Sequence, residues 1–182
     1  MALSPHRLRV HCFLNAMVGP TPDILIHKAT PAELSIAYSI VTEYYQALSV
    51  VARETKNEFS RDYFGPEIGI WLAHAGAEVV GCIALRRLSA IEGSKNERVA
   101  EIKRLFVRPA WRGQGLAQKL LDHVEQFAAA CGYSSICLDT TDEMDAAARL
   151  YERHGYRRCE RYNDNPQATI FMRKDLVRTT AH

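Results

Sequence analysis

The sequence Arg-Gly-Gln-Gly-Leu-Ala at residues 112–117 lies between a predicted strand and a predicted helix. Residues 99–107 are rich in aliphatic and β-branched side chains, which favour a strand that ends before Pro109. After Gly115, apolar residues recur at helical spacing and mark one face of an amphipathic helix: Leu116, Leu120, Leu121, Val124, Phe127, Ala128 and Cys131. This order of strand, glycine loop and helix predicts the start of a β-α-β unit.

Secondary-structure signals on both sides of this stretch predict a mixed sheet. Residues 68–73 and 78–87 flank a turn that contains Gly76, which is the pattern of a β-hairpin. Residues 135–140 form the strand after the helix, and such a crossover requires a parallel, right-handed connection. The other predicted elements are a strand at 23–28, a helix from 30 to 48 that begins with a Thr30–Glu33 capping box, a helix at 144–151, and strands at 156–161 and 169–173. The predicted fold class is therefore α/β, with a central mixed sheet flanked by helices.

The length and composition favour one domain. At 182 residues, of which 47% are hydrophobic and 24% charged, the chain has enough apolar side chains for one core. We expect this domain at 23–176, preceded by a loosely ordered extension at 1–22 and followed by a tail at 177–182. His11 and Asn15 interrupt the apolar patch of the extension, which disfavours a cleaved signal or a membrane span.

Charge and cysteine usage argue against several classes of partner. The 23 basic and 21 acidic residues are mixed along the chain and give a net charge of +2, so no basic block indicates nucleic-acid binding. The five cysteines include no C-x-x-C pair and no histidine at zinc-ligand spacing. We expect reduced thiols in a cytoplasmic protein, with no metal and no membrane partner.

The glycine loop has the properties of an anion site. The first backbone N–H groups of a helix have no intrahelical partner, and they lie at the positive end of the helix dipole. Gly113 and Gly115 allow close approach of the backbone to a pyrophosphate, and Arg112 adds a charge. A simple tight turn remains the alternative. The late position of the loop and its glycine spacing disfavour a nicotinamide-binding Rossmann unit.

Two motifs carry a resemblance to a known family. Arg112, Gly115 and Ala117 match the pattern Q/R-x-x-G-x-G/A, and residues 150–156, Leu-Tyr-Glu-Arg-His-Gly-Tyr, are similar to L-Y-x-x-x-G-F/Y. From 24 to 176 the chain resembles the GCN5-related N-acetyltransferase (GNAT) superfamily. The resemblance implies a twisted mixed sheet whose fourth and fifth strands splay apart to admit acetyl-CoA.

The resemblance also implies roles for individual residues. Tyr151 matches the tyrosine whose phenol donates a proton to the departing thiolate, with a buried core aromatic as the alternative. Glu101 lies where some members carry the general base that removes the amine proton, directly or through water. A solvated glutamate, or one ion-paired with Lys103, remains equally open. The residues expected to bind acetyl-CoA are Leu105, Phe106, Val107, Arg112, Gly113, Gln114, Gly115, Leu116, Ala117 and Gln118.

Several weaker features bear on the acceptor side. A β-bulge near residues 105–107 would leave a backbone N–H free to hold the oxyanion. Residues 53–62 form either a second short helix or a mobile cover, and residues 162–166 form either an ordinary turn or an overhang at the acceptor end. Asp139, Thr140 and Thr141 either line the acceptor pocket or cap a helix. Cys137 is expected to be a buried thiol rather than a nucleophile.

The expected function is the transfer of an acetyl group from acetyl-CoA to a primary amine, by direct transfer in a ternary complex. The acceptor would be a small-molecule amine, an amino acid or a peptide, and the last strands could pair in a homodimer. The alternative is a catalytically silent acyl-CoA sensor or partner-binding module.

Overall fold

The computed structural model describes residues 23–88 and 97–176, which form one seven-stranded mixed sheet in the order β1-β2-β3-β4-β5-β7-β6. Strands β4 and β5 are parallel, and all other neighbours are antiparallel. The strands are β1 (Ile24–Lys28), β2 (Gly69–Ala75), β3 (Glu78–Arg87), β4 (Val99–Val107), β5 (Ser135–Thr140), β6 (Arg157–Arg158) and β7 (Ile170–Asp175). The helices are α1 (Leu34–Ala47), α2 (Lys56–Tyr63), α3 (Leu116–Ala130) and α4 (Asp145–Arg153). The predicted fold class is confirmed.

Several element boundaries differ from the sequence-based prediction, most clearly at the start of α1 and at β6. Pro31–Glu33 form a 3₁₀ turn ahead of α1, and Glu33 accepts a hydrogen bond from the Thr30 N–H as the capping box predicted. Residues 53–62 include helix α2, which starts at a second capping box formed by Thr55 and Glu58. The strand predicted at 156–161 is only two residues long, and beyond it the Arg161 guanidinium donates to the carbonyls of Asn165 and Ala168 where the chain turns.

Helices cover both faces of the sheet. Strand alternation sends Trp71 and Ala73 into the core under α3 and α4, while Ile70 and Leu72 enter the core under α1 and α2. The helices contribute eight buried residues to the first core: Leu116, Leu120, Leu121, Val124, Ala128, Ala148, Leu150 and Tyr151. The helices contribute six buried residues to the second core: Ala37, Ile40, Val41, Tyr45, Phe59 and Tyr63. The apolar face predicted for α3 is therefore the face that packs.

The central feature of the sheet is the separation of β4 from β5. The two strands pair from Val99, opposite Ser135, to Ile102, opposite Leu138, and the pairing then stops although β4 continues to Val107. Alternate peptide groups of residues 103–107 on the β5 side therefore have no strand partner there. The predicted splay of the fourth and fifth strands is present.

A β-bulge lies where the two strands separate. Cys82 pairs with Phe106 and Ala84 pairs with Lys103, so two residues of β4, Arg104 and Leu105, lie opposite one residue of β3. Arg104 has φ 58°, a left-handed conformation that few non-glycine residues adopt. The bulge changes the direction of β4 and places Arg104 and Leu105 along the gap.

The extension at 1–22, the tail at 177–182 and most of the loop predicted at 89–98 lie outside the described residues. Within the described ranges, no helix combines the length and the apolarity needed to cross a membrane.

Candidate active site

The glycine loop forms the N-terminus of α3. Gly113 has φ 76° and Gly115 has φ 75°, and a Cβ built on either residue would have no atom within 4 Å. The first helical hydrogen bond runs from the Lys119 N–H to the Gly115 carbonyl, at 3.1 Å. The amides of Leu116, Ala117 and Gln118 therefore precede the first helical bond and are available to an anion. This exposed loop, with open space beside both glycines, fits a pyrophosphate.

Arg112 ties the loop to the end of β4. Its Nε donates to the Val107 carbonyl at 2.9 Å, and its guanidinium carbon lies 6.0 Å from the centre of the Phe106 ring. The Gln114 amide also donates to the Ala110 carbonyl, at 3.4 Å. The structure thus places the predicted cofactor-binding residues of the loop beside those of the strand.

The three strand residues predicted to bind the cofactor differ in exposure. Leu105 lines the cleft between the separated strands, whereas Phe106 and Val107 are buried in the two cores. Contacts from Phe106 and Val107 to a ligand are therefore confined to their backbone groups.

A cleft of about 1030 Å³ opens at the gap between β4 and β5. Its floor is the bulged part of β4, residues 102–105, and its far wall is the end of β5 with Asp139 and Thr140. The other walls come from the end of α1 and the loop that follows it, from α2, from residues 141–144, from Tyr151 of α4 and from residues 164–169. Asp139, Thr140 and Thr141 all line the cleft, as one of the two sequence-based alternatives expected.

Tyr151 lies in the wall of this cleft, on α4. Its side chain is 6% exposed and packs edge-on against Tyr156, with 5.8 Å between the ring centres. Burial raises the pKa of the Tyr151 phenol, and the negative charge of Asp139 raises it further. A phenol with a raised pKa keeps its proton at neutral pH, as a proton donor must. Both sequence-based interpretations therefore describe the same buried, cleft-lining residue.

Glu101 lies behind the cleft wall, in a buried network of charges. It is 0% exposed, and it pairs with Arg86 Nε at 2.6 Å and with Lys103 Nζ at 3.1 Å. Lys103 also contacts Asp139 at 2.9 Å, so the charges alternate from Arg86 to Asp139. The ion pair with Lys103, named above as the alternative, is present. The role of Glu101 as a base stays a prediction.

Asp139 is the carboxylate of this network that lines the cleft. Desolvation alone would raise the pKa of Asp139, but the Lys103 ammonium and the hydrogen bonds from Asn163 and Asn165 outweigh burial and lower it. The side chain is therefore ionised at neutral pH.

The loop at 162–167 covers this buried network of charges. Tyr162 donates to Glu101 at 3.2 Å, and the Asn163 amide donates to Glu101 at 3.0 Å and to Asp139 at 2.7 Å. Asn165 adds a 3.3 Å bond to Asp139. In the sequence, the run of amide side chains beside Pro166 was the available signal for these contacts. Of the two alternatives given for residues 162–166, the structure supports the overhang.

A second buried ion pair was missed. Glu54 pairs with Arg104 at 2.5 Å and accepts hydrogen bonds from the hydroxyls of Tyr45 and Tyr63. Desolvation alone would raise the pKa of Glu54, but Arg104 and Tyr45 outweigh burial and lower it. This ion pair ties the loop after α1 to the bulge of β4. Residues 53–62 gave a signal for a cover, but nothing in them identified Arg104 as the partner.

Cys137 is a buried thiol, as predicted. It is 1% exposed, and burial raises its pKa to about 12. Reactive cysteines have a lowered pKa and partial exposure, so this environment is that of a structural residue.

Comparisons with known proteins agree with this fold. The Acetyltransferase (GNAT) family model matches residues 35–156. An uncharacterized N-acetyltransferase of Schizosaccharomyces pombe is 31% identical over 169 residues, which cover 88% of this chain and 99% of that protein.

Solved structures share the architecture at low sequence identity. Salmonella typhimurium yncA, solved with its cofactor acetyl-CoA, has a TM-score of 0.66 and 16% identity, covering 87% of this chain and 96% of its own. Arabidopsis thaliana NAA60, solved with a bisubstrate analogue, has a TM-score of 0.66 and 18% identity, covering 85% of this chain and 100% of its own. Because the family model matches residues 35–156 and the glycine loop follows a splayed β4, the chain belongs to the GNAT family of acetyltransferases, and acetyl-CoA is its co-substrate.

Proposed function

We propose that this acetyltransferase moves the acetyl group directly to a primary amine of a small molecule, an amino acid or a peptide, with both substrates bound at once. The observation that carries the proposal is the cleft of about 1030 Å³, which extends from the gap between β4 and β5 to the loop at 164–169. Single-ligand pockets usually measure about 300–1000 Å³. The cleft therefore lies at the upper end of the range for one ligand, and the residues of the glycine loop are not part of its lining, so we infer that it holds the acetyl end of the cofactor together with the amine, beside Tyr151.

The charges of the cleft support a cationic acceptor. Its lining includes seven acidic residues, Glu54, Glu58, Asp62, Asp139, Asp142, Glu143 and Asp164, and five basic ones, Arg53, Arg61, Arg86, Lys103 and Arg104. Four of the basic residues already pair with a carboxylate. Among the described residues, no cation lies within ion-pair distance of Asp142, Glu143 or Asp164. An excess of unpaired acid attracts an ammonium group.

The proposed cofactor site comprises the loop and the strand beside it. Acetyl-CoA supplies the thioester whose carbonyl carbon the amine attacks. The loop at 112–118 would hold its pyrophosphate, through the free amides of the helix start and the charge of Arg112. The unpaired edge of β4 would hold the extended arm and offer an N–H to the oxyanion.

Tyr151 is the proposed proton donor to the departing thiolate. Tyr151→Phe keeps the ring and its packing but removes the hydroxyl. General acids contribute about 100-fold to 10,000-fold to a rate, so we expect kcat to fall by at least about 100-fold with unchanged binding of acetyl-CoA. Steady-state rates and acetyl-CoA titrations measure the two effects. A variant that keeps the wild-type kcat would leave Tyr151 with a packing role alone.

The proposed route for the amine proton is through water toward Glu101, because Lys103 and Asp139 lie between Glu101 and the cleft. Glu101→Gln should flatten the rise of kcat/KM with pH and lower kcat by about 100-fold or more. Asp139→Asn is the matched variant, since it neutralises the cleft-facing carboxylate of the same network. Both profiles are measured at a temperature where circular dichroism shows folded protein. A Glu101→Gln profile that rises as the wild type does would exclude the role.

The proposed function is tested by incubating the protein with acetyl-CoA and a panel of amines, with free CoA thiol and acetylated product measured together. The panel covers polyamines, amino acids and peptides with a free N-terminus. We expect thiol release that depends on the amine and equals product formed. Binding of acetyl-CoA without release for any amine would instead match the silent module.

A further inference from the structure

A second group of chemically active side chains lies at the β1 edge of the sheet, away from the cleft. It consists of His27 on β1, His74 on β2 and Glu33 in the turn before α1, and we call it the histidine cluster. Strands β2 and β3 separate β1 from β4, so the cluster takes no part in the transfer site.

Strand register places the two histidines on one face. His74 pairs with Leu25, and His27 lies two residues beyond Leu25 on the same side of β1. The rings are stacked, with 5.0 Å between their centres and an angle of 24°. Glu33 reaches the pair from the start of α1, and one ligand atom from each of the three residues lies within 4.8 Å of the others.

The hydrogen bonds of the histidine cluster leave two ring nitrogens without partners. His27 Nε2 lies 2.9 Å from Glu33 Oε1 and donates to it, because a carboxylate only accepts. His27 Nδ1 and His74 Nε2 are both buried and have no hydrogen-bond partner. Buried polar atoms are normally paired, so each of these two nitrogens can take a further partner, and a ring nitrogen with a free lone pair can bind a cation or accept a hydrogen bond.

Glu33 is held in a fixed position by the capping box at the start of α1. The N–H and the hydroxyl of Thr30 donate to its Oε2 at 2.8 and 2.9 Å, which directs Oε1 toward His27.

We propose that His27, His74 and Glu33 bind one Zn²⁺ ion, with water as the fourth ligand. Two imidazoles and a carboxylate are a donor set that zinc accepts in tetrahedral sites. With bonds of about 2.0–2.1 Å, ligand atoms in such a site lie roughly 3.3 Å apart, so rotation of side chains within the cluster brings them into place. Each imidazole binds the ion through an unprotonated ring nitrogen, so a neutral ring keeps its one proton on the other nitrogen, and only a ring that starts as imidazolium releases a proton to solvent. It joins β1, β2 and the start of α1, and therefore stabilises the fold.

The test uses the full chain, stripped of metal with a chelator and then dialysed. Zn²⁺ is titrated calorimetrically, thermal unfolding is followed with and without it, and Co²⁺ serves as the spectroscopic probe. We expect one ion per chain, a higher melting temperature, and visible bands of four-coordinate Co²⁺ without thiolate charge-transfer bands. No site, or a thiolate spectrum, would overturn the proposal.

His74→Phe is the decisive variant because it keeps the stacked ring and removes the ligand. Loss of an outer partner of a metal ligand costs about 10–100-fold in affinity, so loss of the ligand itself should weaken Zn²⁺ binding by more than about 100-fold. His27→Gln tests the same site if His74→Phe fails to fold, and His123→Gln removes an exposed histidine of α3 as the control. Equal affinity in the wild type and His74→Phe, or an equal loss in His123→Gln, would place the ion elsewhere.

Discussion

Gly115→Asp is expected to abolish the stabilisation that acetyl-CoA gives to the folded protein. A ligand at about one hundred times its Kd adds about 2.7 kcal/mol to the free energy of unfolding. For a chain of this size that corresponds to a melting-temperature rise of roughly 5–11 °C. Gly115 caps α3 with φ 75°, and the space beside its Cα is open. An aspartate there both strains the backbone and puts a negative charge where the pyrophosphate would bind.

Gly115→Asn is the matched control, because asparagine has the shape of aspartate without its charge and tolerates the left-handed conformation. Like charges placed together in a binding site cost several kcal/mol, and each 1.4 kcal/mol is about tenfold in affinity. We therefore expect Gly115→Asp to bind acetyl-CoA at least about 100-fold more weakly than Gly115→Asn. Thermal shift and calorimetry measure this difference. If the two variants bind equally, the loop is a tight turn and the cofactor lies elsewhere.

The fold could be predicted in detail because its signals are local. The spacing of Leu116, Leu120 and Val124 defines the buried face of α3 before any tertiary contact is known, and the same positions are buried in the structure. Gly113 and Gly115 mark positive φ angles that other residues rarely adopt. Both features depend on a few neighbouring residues, so they can be recognised in the sequence without knowledge of the tertiary structure.

The surroundings of the site could not be predicted because they depend on contacts between distant segments. The partners of Glu101 include Arg86 and Asn163, which lie 15 and 62 positions away in the chain. The Glu54–Arg104 pair joins residues 50 positions apart and requires the bulge of β4. A glutamate on a strand has the same sequence pattern whether it faces solvent, a cleft or two cations. Only the register of β3 against β4 distinguishes these cases.

Glu101→Gln is expected to lower the free energy of unfolding by about 3 kcal/mol, since breaking a buried ion pair from one side costs about 3–5 kcal/mol. We take the lower end because the Arg86 side chain is 33% exposed and water can solvate it, whereas Lys103 is only 10% exposed. Glutamine cannot neutralise the two cations, and its amide would present a donor to them or to the Asn163 amide. The melting temperature should fall by roughly 6–12 °C.

The control for this prediction is Glu78→Gln, which removes an ion pair of equal length in a different environment. Glu78 is 54% exposed and contacts Arg108 at 2.6 Å, and exposed pairs contribute about 0–1 kcal/mol. Denaturant unfolding of both variants and the wild type gives the comparison. If the free energy of unfolding falls no more in Glu101→Gln than in Glu78→Gln, solvent reaches Arg86 and Lys103 and compensates for the lost ion pair. A much larger loss in Glu101→Gln would show that the buried network of alternating charges stabilises the fold, and the network includes the loop at 162–167 because Tyr162 and Asn163 donate to the same carboxylate.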